Sequence, residues 1–130
     1  MTYHAMLNFE GKDFDVIWCE YGIERCKDSA GKPTSGLCKG RITILMKSTG
    51  DYTVFKNMNS SQSTPNSGTI TFTKDDSELT KKLTWENGYI VDYKEKLDVT
   101  STMPMMFRFT ISAQTLKVGD IELKQNWDDE

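Results

Sequence analysis

The sequence predicts a mainly β fold: two packed antiparallel sheets that form a small β-barrel, with one short α-helix on its flank. Three observations support this prediction. Apolar and polar side chains alternate along most of the chain, turn residues separate the alternating segments, and a single segment has helical spacing instead. Because neighbouring side chains of a strand point to opposite faces, each alternating segment offers one face to a core and one to solvent.

Length and composition set the size of that fold. The 130 residues fit one domain, since a domain takes roughly 100–200 residues, and we predict a single domain over residues 1–130. A chain of this length can bury a core without metal or disulfide staples. With 37% apolar and 11% aromatic residues, the core is lean, but the chain is too apolar for intrinsic disorder. A lean core fits a thin-walled domain, or one whose apolar surface is completed by further copies of itself.

The predicted strands follow from the alternation and from its β-branched and aromatic content. The alternating segments, in chain order, are residues 3–9, 14–18, 42–46, 70–72, 83–85, 89–93, 107–113 and 121–123. About eight short strands at this spacing indicate a small barrel or sandwich.

Turn residues lie where antiparallel hairpins require them. Asn87-Gly88 separates two alternating segments, and it is the strongest hairpin signal because both central positions of the favoured turn need a positive φ. Gly11-Lys12 and Gly119-Asp120 predict two further tight turns.

One segment has the spacing of a helix. Val54, Phe55 and Met58 share a helical face at i, i+3 and i, i+4, and Thr49 or Asp51 can supply the oxygen that caps the first turn. We predict a two-turn helix over about residues 51–58, followed by a polar loop over residues 59–67. A second polar stretch, residues 24–39, predicts a longer loop than a connection needs, and such loops are usually functional or mobile.

The residues that carry catalysis are sparse. His4 is the only histidine, its place on a predicted strand indicates a surface position, and no G-x-S-x-G nucleophile motif is present. Asp13 and Asp15 share one strand face beside a turn, where solvated carboxylates are ordinary. We therefore predict that the chain is not an enzyme and has no catalytic residues.

The cysteines do not indicate a metal or cofactor site. Cys19, Cys26 and Cys38 form no C-x-x-C pair, and only His4 could supplement them, whereas a zinc site needs about four clustered ligands. We expect no metal and no cofactor. Cys26 and Cys38 bracket the long polar stretch, and a disulfide between them is open only in an oxidising compartment.

Charge and hydropathy exclude other partners. The chain has 16 basic and 19 acidic residues, whereas a non-specific nucleic-acid binder or a membrane-surface protein usually has a basic excess. No segment approaches the 18 or so apolar residues of a membrane-spanning helix, and no ordinary signal peptide is visible. We expect no nucleic-acid partner, no direct membrane insertion and folding in the cytoplasm.

The order and spacing of several motifs carry a resemblance to a known family. They are G-K-D-F-D-V at 11–16, G-K-P-T-S-G at 31–36, S-T-G-D at 48–51 with Phe55, N-G-Y at 87–89 with V-D-Y-K-E at 91–95, F-T-I-S-A at 109–113, and Trp127. Over nearly the whole chain they resemble the shorter, divergent branch of Hcp (TssD), the tube proteins of type VI secretion.

The resemblance implies a function as a structural subunit. Family members form homohexameric rings that stack into a tube, which a contractile sheath propels, and the lumen can carry effector proteins. The implied partners are further copies of the chain, sheath, baseplate and spike components, and effectors. The implied localisation is cytoplasmic assembly, followed by secretion through the type VI machinery without a signal peptide.

Two sets of site residues follow from the resemblance. The subunit or ring-stacking loop comprises Lys27, Asp28, Ser29, Gly31, Lys32, Pro33, Thr34, Ser35 and Gly36. The lumen-facing polar strand comprises Thr69, Thr71 and Thr73.

Two alternatives remain open at this level. The first is a monomeric β-barrel that binds a small ligand or peptide in an aromatic interior built from Trp18, Phe72, Trp85 and Phe109. The second is an enzyme that uses His4 and Asp15 for acid–base chemistry.

Overall fold

The computed structural model describes residues 3–60, 64–74, 78–102 and 105–124. Within them the chain forms eight strands and one α-helix. The elements are β1 (Tyr3–Phe9), β2 (Lys12–Val16), β3 (Trp18–Lys27), β4 (Pro33–Lys47), α1 (Thr53–Ser60), β5 (Asn66–Lys74), β6 (Glu78–Leu97), β7 (Met105–Val118) and β8 (Ile121–Lys124). In these segments no helix is long and apolar enough to cross a membrane.

All strand pairs are antiparallel, in the order β2-β1-β5-β6-β7-β4-β3, and β8 pairs with β7. The two N-terminal hairpins, β1–β2 and β3–β4, therefore form the two ends of the sheet. The later strands β5, β6 and β7 lie between them. This order confirms the predicted mainly β, antiparallel chain with one short helix.

The long strands β6 and β7 connect the two halves of the sheet. Strand β5 pairs only with the first part of β6, as far as the pair Asn66↔Gly88. Strand β4 pairs only with the first part of β7, as far as Arg41↔Ser112. Buried side chains from both halves form one apolar cluster: Leu7, Phe9, Ile42, Ile44, Met46, Val54, Ile70, Leu83, Trp85, Ile90, Phe107, Phe109, Ile111, Ala113 and Leu116.

The two ends of this strand order, β2 and β3, are consecutive in the chain. Ile17 connects them, and its backbone N–H donates a hydrogen bond to the Leu45 carbonyl of β4 at 2.9 Å. The paired strands form an open path rather than a closed ring, so closure of two sheets into a barrel stays a prediction.

The predicted hairpin at Asn87-Gly88 is wrong. Both residues lie inside the continuous strand β6, and pairing with β7 continues from Glu86↔Thr115 to Gly88↔Ala113. Asn87 does have a positive φ of 53°. A tight turn and a kink within a strand can both contain a residue with a positive φ. Because β6 pairs with β7 on both sides of Asn87, this residue lies in a kinked strand.

The remaining turns agree with the sequence to within a residue. The β1–β2 turn has positive φ angles at Glu10 (55°) and Gly11 (76°), and the β7–β8 turn has one at Gly119 (63°). The first turn thus lies one residue earlier than Gly11-Lys12, because Lys12 already begins β2.

The helix begins two residues later than predicted, at Thr53 rather than near 51. The Asp51 carboxylate accepts a hydrogen bond from the Thr53 backbone N–H at 2.7 Å, so it caps the helix from outside. Of the predicted helical face, Val54 is buried and Met58 half-buried. The predicted polar loop 59–67 ends early, because β5 begins at Asn66, and residues 61–63 lie outside the described ones.

Candidate assembly surfaces

The predicted loop over residues 24–39 is wrong as a loop, because it is the outer part of a β-hairpin. Strand β3 continues to Lys27, and β4 begins at Pro33. The pairing is irregular, with register shifts on both sides of Arg25. We name this outer part of the hairpin, residues 24–39, the hairpin arm. Sequence reasoning missed it because strands that pair outside a core are held by backbone hydrogen bonds, which need no apolar alternation.

Asp28 organises the tip of the hairpin arm. Its carboxylate Oδ1 accepts hydrogen bonds from the backbone N–H groups of Ala30 and Lys32, both at 2.9 Å. Its backbone N–H donates to the Lys32 carbonyl at 2.9 Å, and its carbonyl accepts from Gly31 at 3.0 Å. Gly31 has a φ of 88°, which a residue with a side chain adopts only with strain. The tip therefore has a defined conformation.

The structure brings the predicted stacking residues together at this tip. Lys27 ends β3, residues 28–32 form the turn, and all of them are exposed, as is Pro33. Thr34, Ser35 and Gly36 continue in β4. The side chains of residues 34–39 and of Cys26 lie outside the described ones, and so does the question of whether Cys26 and Cys38 meet.

The three threonines of β5 share the face of the sheet that is turned away from the core. Thr69, Thr71 and Thr73 are half-buried, while the intervening Ile70 is fully buried. We name this side of β1, β5 and β6 the threonine face. Its cross-strand neighbours are His4, Met6 and Asn8 on β1, and Lys82 and Thr84 on β6.

The core is closed where β1 ends. Trp85 is fully buried, its ring stacks on Phe9 at a centroid distance of 6.1 Å, and its Nε1–H donates to Asn66 Oδ1 at 2.7 Å. Asn66 Nδ2 donates to Asn57 Oδ1 of α1 at 2.8 Å, and Asn57 Nδ2 donates to the Glu10 carboxylate at 3.0 Å. This chain of bonds joins the buried indole, the helix and the β1–β2 turn.

The core is open where β1 begins. There a cleft of about 610 Å³ is lined by Tyr3, Trp18, Cys19, Glu20, Tyr21, Phe72 and Lys81. Trp18 is 45% exposed and Tyr3 57% exposed. Burial raises the pKa of the Cys19 thiol. We name this feature the Trp18 cleft. Of the aromatic interior predicted for a ligand, Trp18 and Phe72 line this open cleft, whereas Trp85 and Phe109 are enclosed in the core.

A second apolar surface lies beside the helix. Phe55 of α1 is 55% exposed and packs edge-on against Tyr93 of β6 at 5.4 Å. Leu97 and Met105 pair across β6 and β7 and are also exposed. We name these four residues the helix-side strip. Burial, and then the nearby Glu95 carboxylate, raise the pKa of the Tyr93 phenol.

Residues 1–128 match the protein family described as Hemolysin coregulated protein Hcp (TssD). The chain belongs to the Hcp family. This membership confirms the resemblance seen in the sequence motifs, and with it the role of a structural tube subunit.

Solved structures agree with this membership. Hcp1 from Flavobacterium johnsoniae is 31% identical, with a TM-score of 0.81 over 94% of this chain and 99% of that chain. Hcp1 from Salmonella typhimurium has a TM-score of 0.72 at 11% identity, over 91% of this chain and 86% of that one. A chain of the PVC sheath–tube complex, from an extracellular contractile injection system, has a TM-score of 0.64 at 18% identity, over 93% and 91%. The last two matches show the fold alone. No curated protein sequence matches significantly.

Family membership also bears on the sparse catalytic candidates. Hcp proteins form a structural tube family. The same fold occurs in the sheath/tube terminator of an extracellular contractile injection system and in the tube-terminating cap of the anti-feeding prophage. His4 and Asp15 are both exposed side chains on the neighbouring strands β1 and β2.

Proposed function

We propose that this Hcp-family chain, folded as one domain over residues 1–130, assembles into homohexameric rings that stack into the inner tube of a type VI secretion system. Sheath, baseplate and spike components surround or cap that tube, and effector proteins travel in its lumen. The chain assembles in the cytoplasm and is then secreted without a signal peptide. The observation that carries this proposal is the family match over residues 1–128.

Each subunit is proposed to be a closed barrel of two packed sheets. The chain passes directly from β2 to β3, which are the two ends of the sheet, and Ile17 bonds to Leu45 of β4 at this junction. The buried side chains of both halves already share one cluster. A barrel removes free sheet edges, so closure would leave the neighbouring copies to be joined by side-chain surfaces.

The threonine face is proposed to line the lumen. Thr69, Thr71 and Thr73 are half-buried on the side of the sheet away from the core. Hydroxyl groups are both donors and acceptors and carry no charge. These hydroxyl groups can satisfy the polar groups of a passing protein, and the neighbouring Lys82 of β6 adds a positive charge to the same face.

The hairpin arm is proposed to contact a neighbouring subunit or ring. Its tip is exposed, has a conformation set by Asp28, and carries Lys27 and Lys32. We expect Lys27→Glu with Lys32→Glu to leave the circular dichroism spectrum unchanged and to shorten the stacks seen by microscopy. The control variant, Lys94→Glu with Lys96→Glu, places the same charges on β6. Loss of folding in the arm variant would show that the arm is structural instead.

Ring formation itself is tested with the purified chain. We expect negative-stain microscopy to show rings with a central hole, and light scattering to give the mass of six chains. A strictly monomeric species at high concentration, with no rings under any condition, would contradict the proposed function.

A further inference from the structure

The Trp18 cleft is an unfinished end of the hydrophobic core. Cys19, Tyr21 and Phe72 line it and also pack against the buried cluster, so its floor is continuous with the core. Trp18 and Tyr3 remain about half exposed above that floor. Concentrated apolar surface of this kind marks an interaction site in a soluble protein.

The helix-side strip is an exposed apolar surface that protrudes from the sheet, whereas the Trp18 cleft is a depression. Phe55 projects from a helix that lies on the sheet, with its ring against Tyr93 and more than half of its surface exposed. Leu97 (61% exposed) and Met105 (40% exposed) pair directly on the same face as Tyr93. Methionine adapts its shape to the surface that it meets, so the strip suits an irregular apolar hollow.

The two surfaces lie on different strands of one sheet. Cys19 of the cleft and Tyr93 of the strip belong to one row of paired residues, in which Cys19 pairs with Ile44, Ile44 with Phe109, and Phe109 with Tyr93. Three strand spacings of roughly 4.8 Å each separate Cys19 from Tyr93. One chain therefore cannot bring its own strip into its own cleft, whereas a second copy can.

Size and charge fit such a contact. Tyr3, Trp18 and Phe55 each keep about half of their surface exposed, and aromatic side chains bury roughly 150–250 Å² each. They can therefore form the centre of an interface whose standard size is roughly 800 Å² per partner, with neighbouring residues supplying the rest. The cleft includes Glu20 and Lys81. The strip has Lys56 next to Phe55, and Glu95 between Tyr93 and Leu97. Glu95 accepts a hydrogen bond from the Ser48 hydroxyl at 2.6 Å. Each surface thus carries one carboxylate and one ammonium group, and neither has an excess of one sign that would repel the other.

A second copy is favoured over a small molecule as the occupant. Ligand pockets commonly enclose 70–90% of a bound molecule, whereas this cleft is open enough to leave Trp18 45% exposed. Contact between two unlike surfaces of identical chains is heterologous, and repetition of it closes a ring when the rotation per copy allows.

We propose that the Trp18 cleft of each copy receives the helix-side strip of the next copy, and that this contact joins neighbouring subunits of one ring. The inference rests on the proposed function and adds the two surfaces that build the ring. Phe55 of one copy then completes the core that is left open around Trp18 of the other.

Cysteine cross-linking tests the contact directly, because a disulfide forms only when the two Cα atoms approach to roughly 4.4–6.8 Å. In a Cys26→Ser, Cys38→Ser background, Cys19 of the cleft is the only thiol. We expect the further change Phe55→Cys, followed by mild copper–phenanthroline oxidation, to give a ladder of covalent oligomers up to the hexamer. Reduction removes the ladder. Cys19 alone, or Cys19 combined with Lys94→Cys, gives no ladder.

Complementation gives a second readout. Trp18→Asp and Phe55→Asp each change a side chain that is about half exposed, so both variants fold, as circular dichroism checks, and each alone stays monomeric. Mixed, they form a heterodimer, because the intact strip of the first variant meets the intact cleft of the second. Native mass spectrometry measures the mass of two chains.

The outcomes separate this inference from the proposed function. Rings in the cysteine background without a ladder, or rings in either Asp variant, overturn the contact but leave the tube function. The absence of rings from the unaltered chain overturns both. A small molecule that copurifies with the unaltered chain, and is lost in Trp18→Ala, identifies the cleft as a ligand site and also overturns the contact.

Discussion

Trp85 and Trp18 both stand on strands of the same sheet, but their surroundings differ. Trp85 is fully buried, stacks on Phe9 and has a hydrogen-bond partner for its Nε1–H. Trp18 is 45% exposed beside an open cleft of about 610 Å³. One end of the core is thus completed within a single chain, whereas the other end is left open for a contact with another molecule. Stability and assembly should therefore respond to different residues.

The largest expected effect is that of truncating the enclosed tryptophan. We expect Trp85→Ala to lower the free energy of unfolding by about 3–5 kcal/mol, because it removes a buried side chain and leaves a cavity. Trp18→Ala should cost about 1 kcal/mol or less in the monomer, since surface changes have small effects. Urea denaturation, at concentrations where light scattering reports monomers, measures both. Equal losses in the two variants would contradict the comparison.

The next effect comes from the glycines that make room for Trp85. A Cβ at Gly68 would lie 2.4 Å from Trp85 Cη2 and 2.9 Å from the Asn8 carbonyl oxygen, whereas a Cβ at Gly22 would meet nothing within 4 Å. We expect Gly68→Ala to cost about 1–3 kcal/mol by overpacking. The matched variant Gly22→Ala should be neutral or slightly stabilising. Thermal unfolding of the pair gives the answer, and an unchanged melting temperature for Gly68→Ala would refute the tight packing.

Loss of the hydrogen bond to the Trp85 indole should lower the free energy of unfolding by as much as Gly68→Ala does, or by less. We expect Asn66→Ala to cost about 1–3 kcal/mol, because it leaves the buried Nε1–H of Trp85 without its partner. In a Trp85→Phe background, which has no indole N–H, the same change should cost measurably less. A double-mutant cycle by denaturant unfolding measures the difference. A coupling energy of zero would show that this bond does not contribute to the closed end.

The smallest effect is expected at the exposed cap of the helix. Hydrogen bonds from Thr53, and then the Lys12 ammonium at 3.0 Å, lower the pKa of Asp51 from its ordinary value of 3.8 to about 2. Because the folded-state pKa is the lower one, the ionised carboxylate stabilises the fold above about pH 4. That contribution is lost as the pH falls from about 4 to 2.

Because Asp51 and Lys12 form an exposed ion pair, the ionised carboxylate contributes about 1 kcal/mol or less to the free energy of unfolding. Acid unfolding of the unaltered chain and of Asp51→Asn measures it. The stability difference between the two should be largest near neutral pH, should shrink as the pH falls below about 4, and should vanish only below about pH 2. A difference that stays constant over this range would rule out the ionised carboxylate as its cause.

The comparison also shows which parts of the fold the sequence could predict. Alternation located the strands because it records the two faces of each strand, and it placed Leu7, Ile70 and Phe109 on buried faces correctly. The strand order could not be predicted in this way. Strand β1 pairs with β5, and β4 pairs with β7, and such pairings depend on contacts far apart in the sequence.

The errors at Asn87 and in the hairpin arm have the same cause. A positive φ at Asn87 is a local signal that is compatible with a hairpin turn or with a kinked strand. The arm pairs through backbone groups, which leave no trace in the apolar pattern. The two apolar surfaces were missed for a related reason, because periodicity predicts that Trp18 and Phe55 have an apolar environment but does not say whether their own chain supplies it.

The strands that the ribosome makes first are not the ones at the centre of the sheet. The hairpins β1–β2 and β3–β4 are made first, yet they form the two ends of the sheet, and β5, β6 and β7 must insert between them. Pairings between residues so distant in the chain close late and slow the folding of a β protein. On the ribosome, each N-terminal hairpin therefore keeps an unpaired edge until its central neighbour emerges, and the sheet becomes continuous only when β7 is complete.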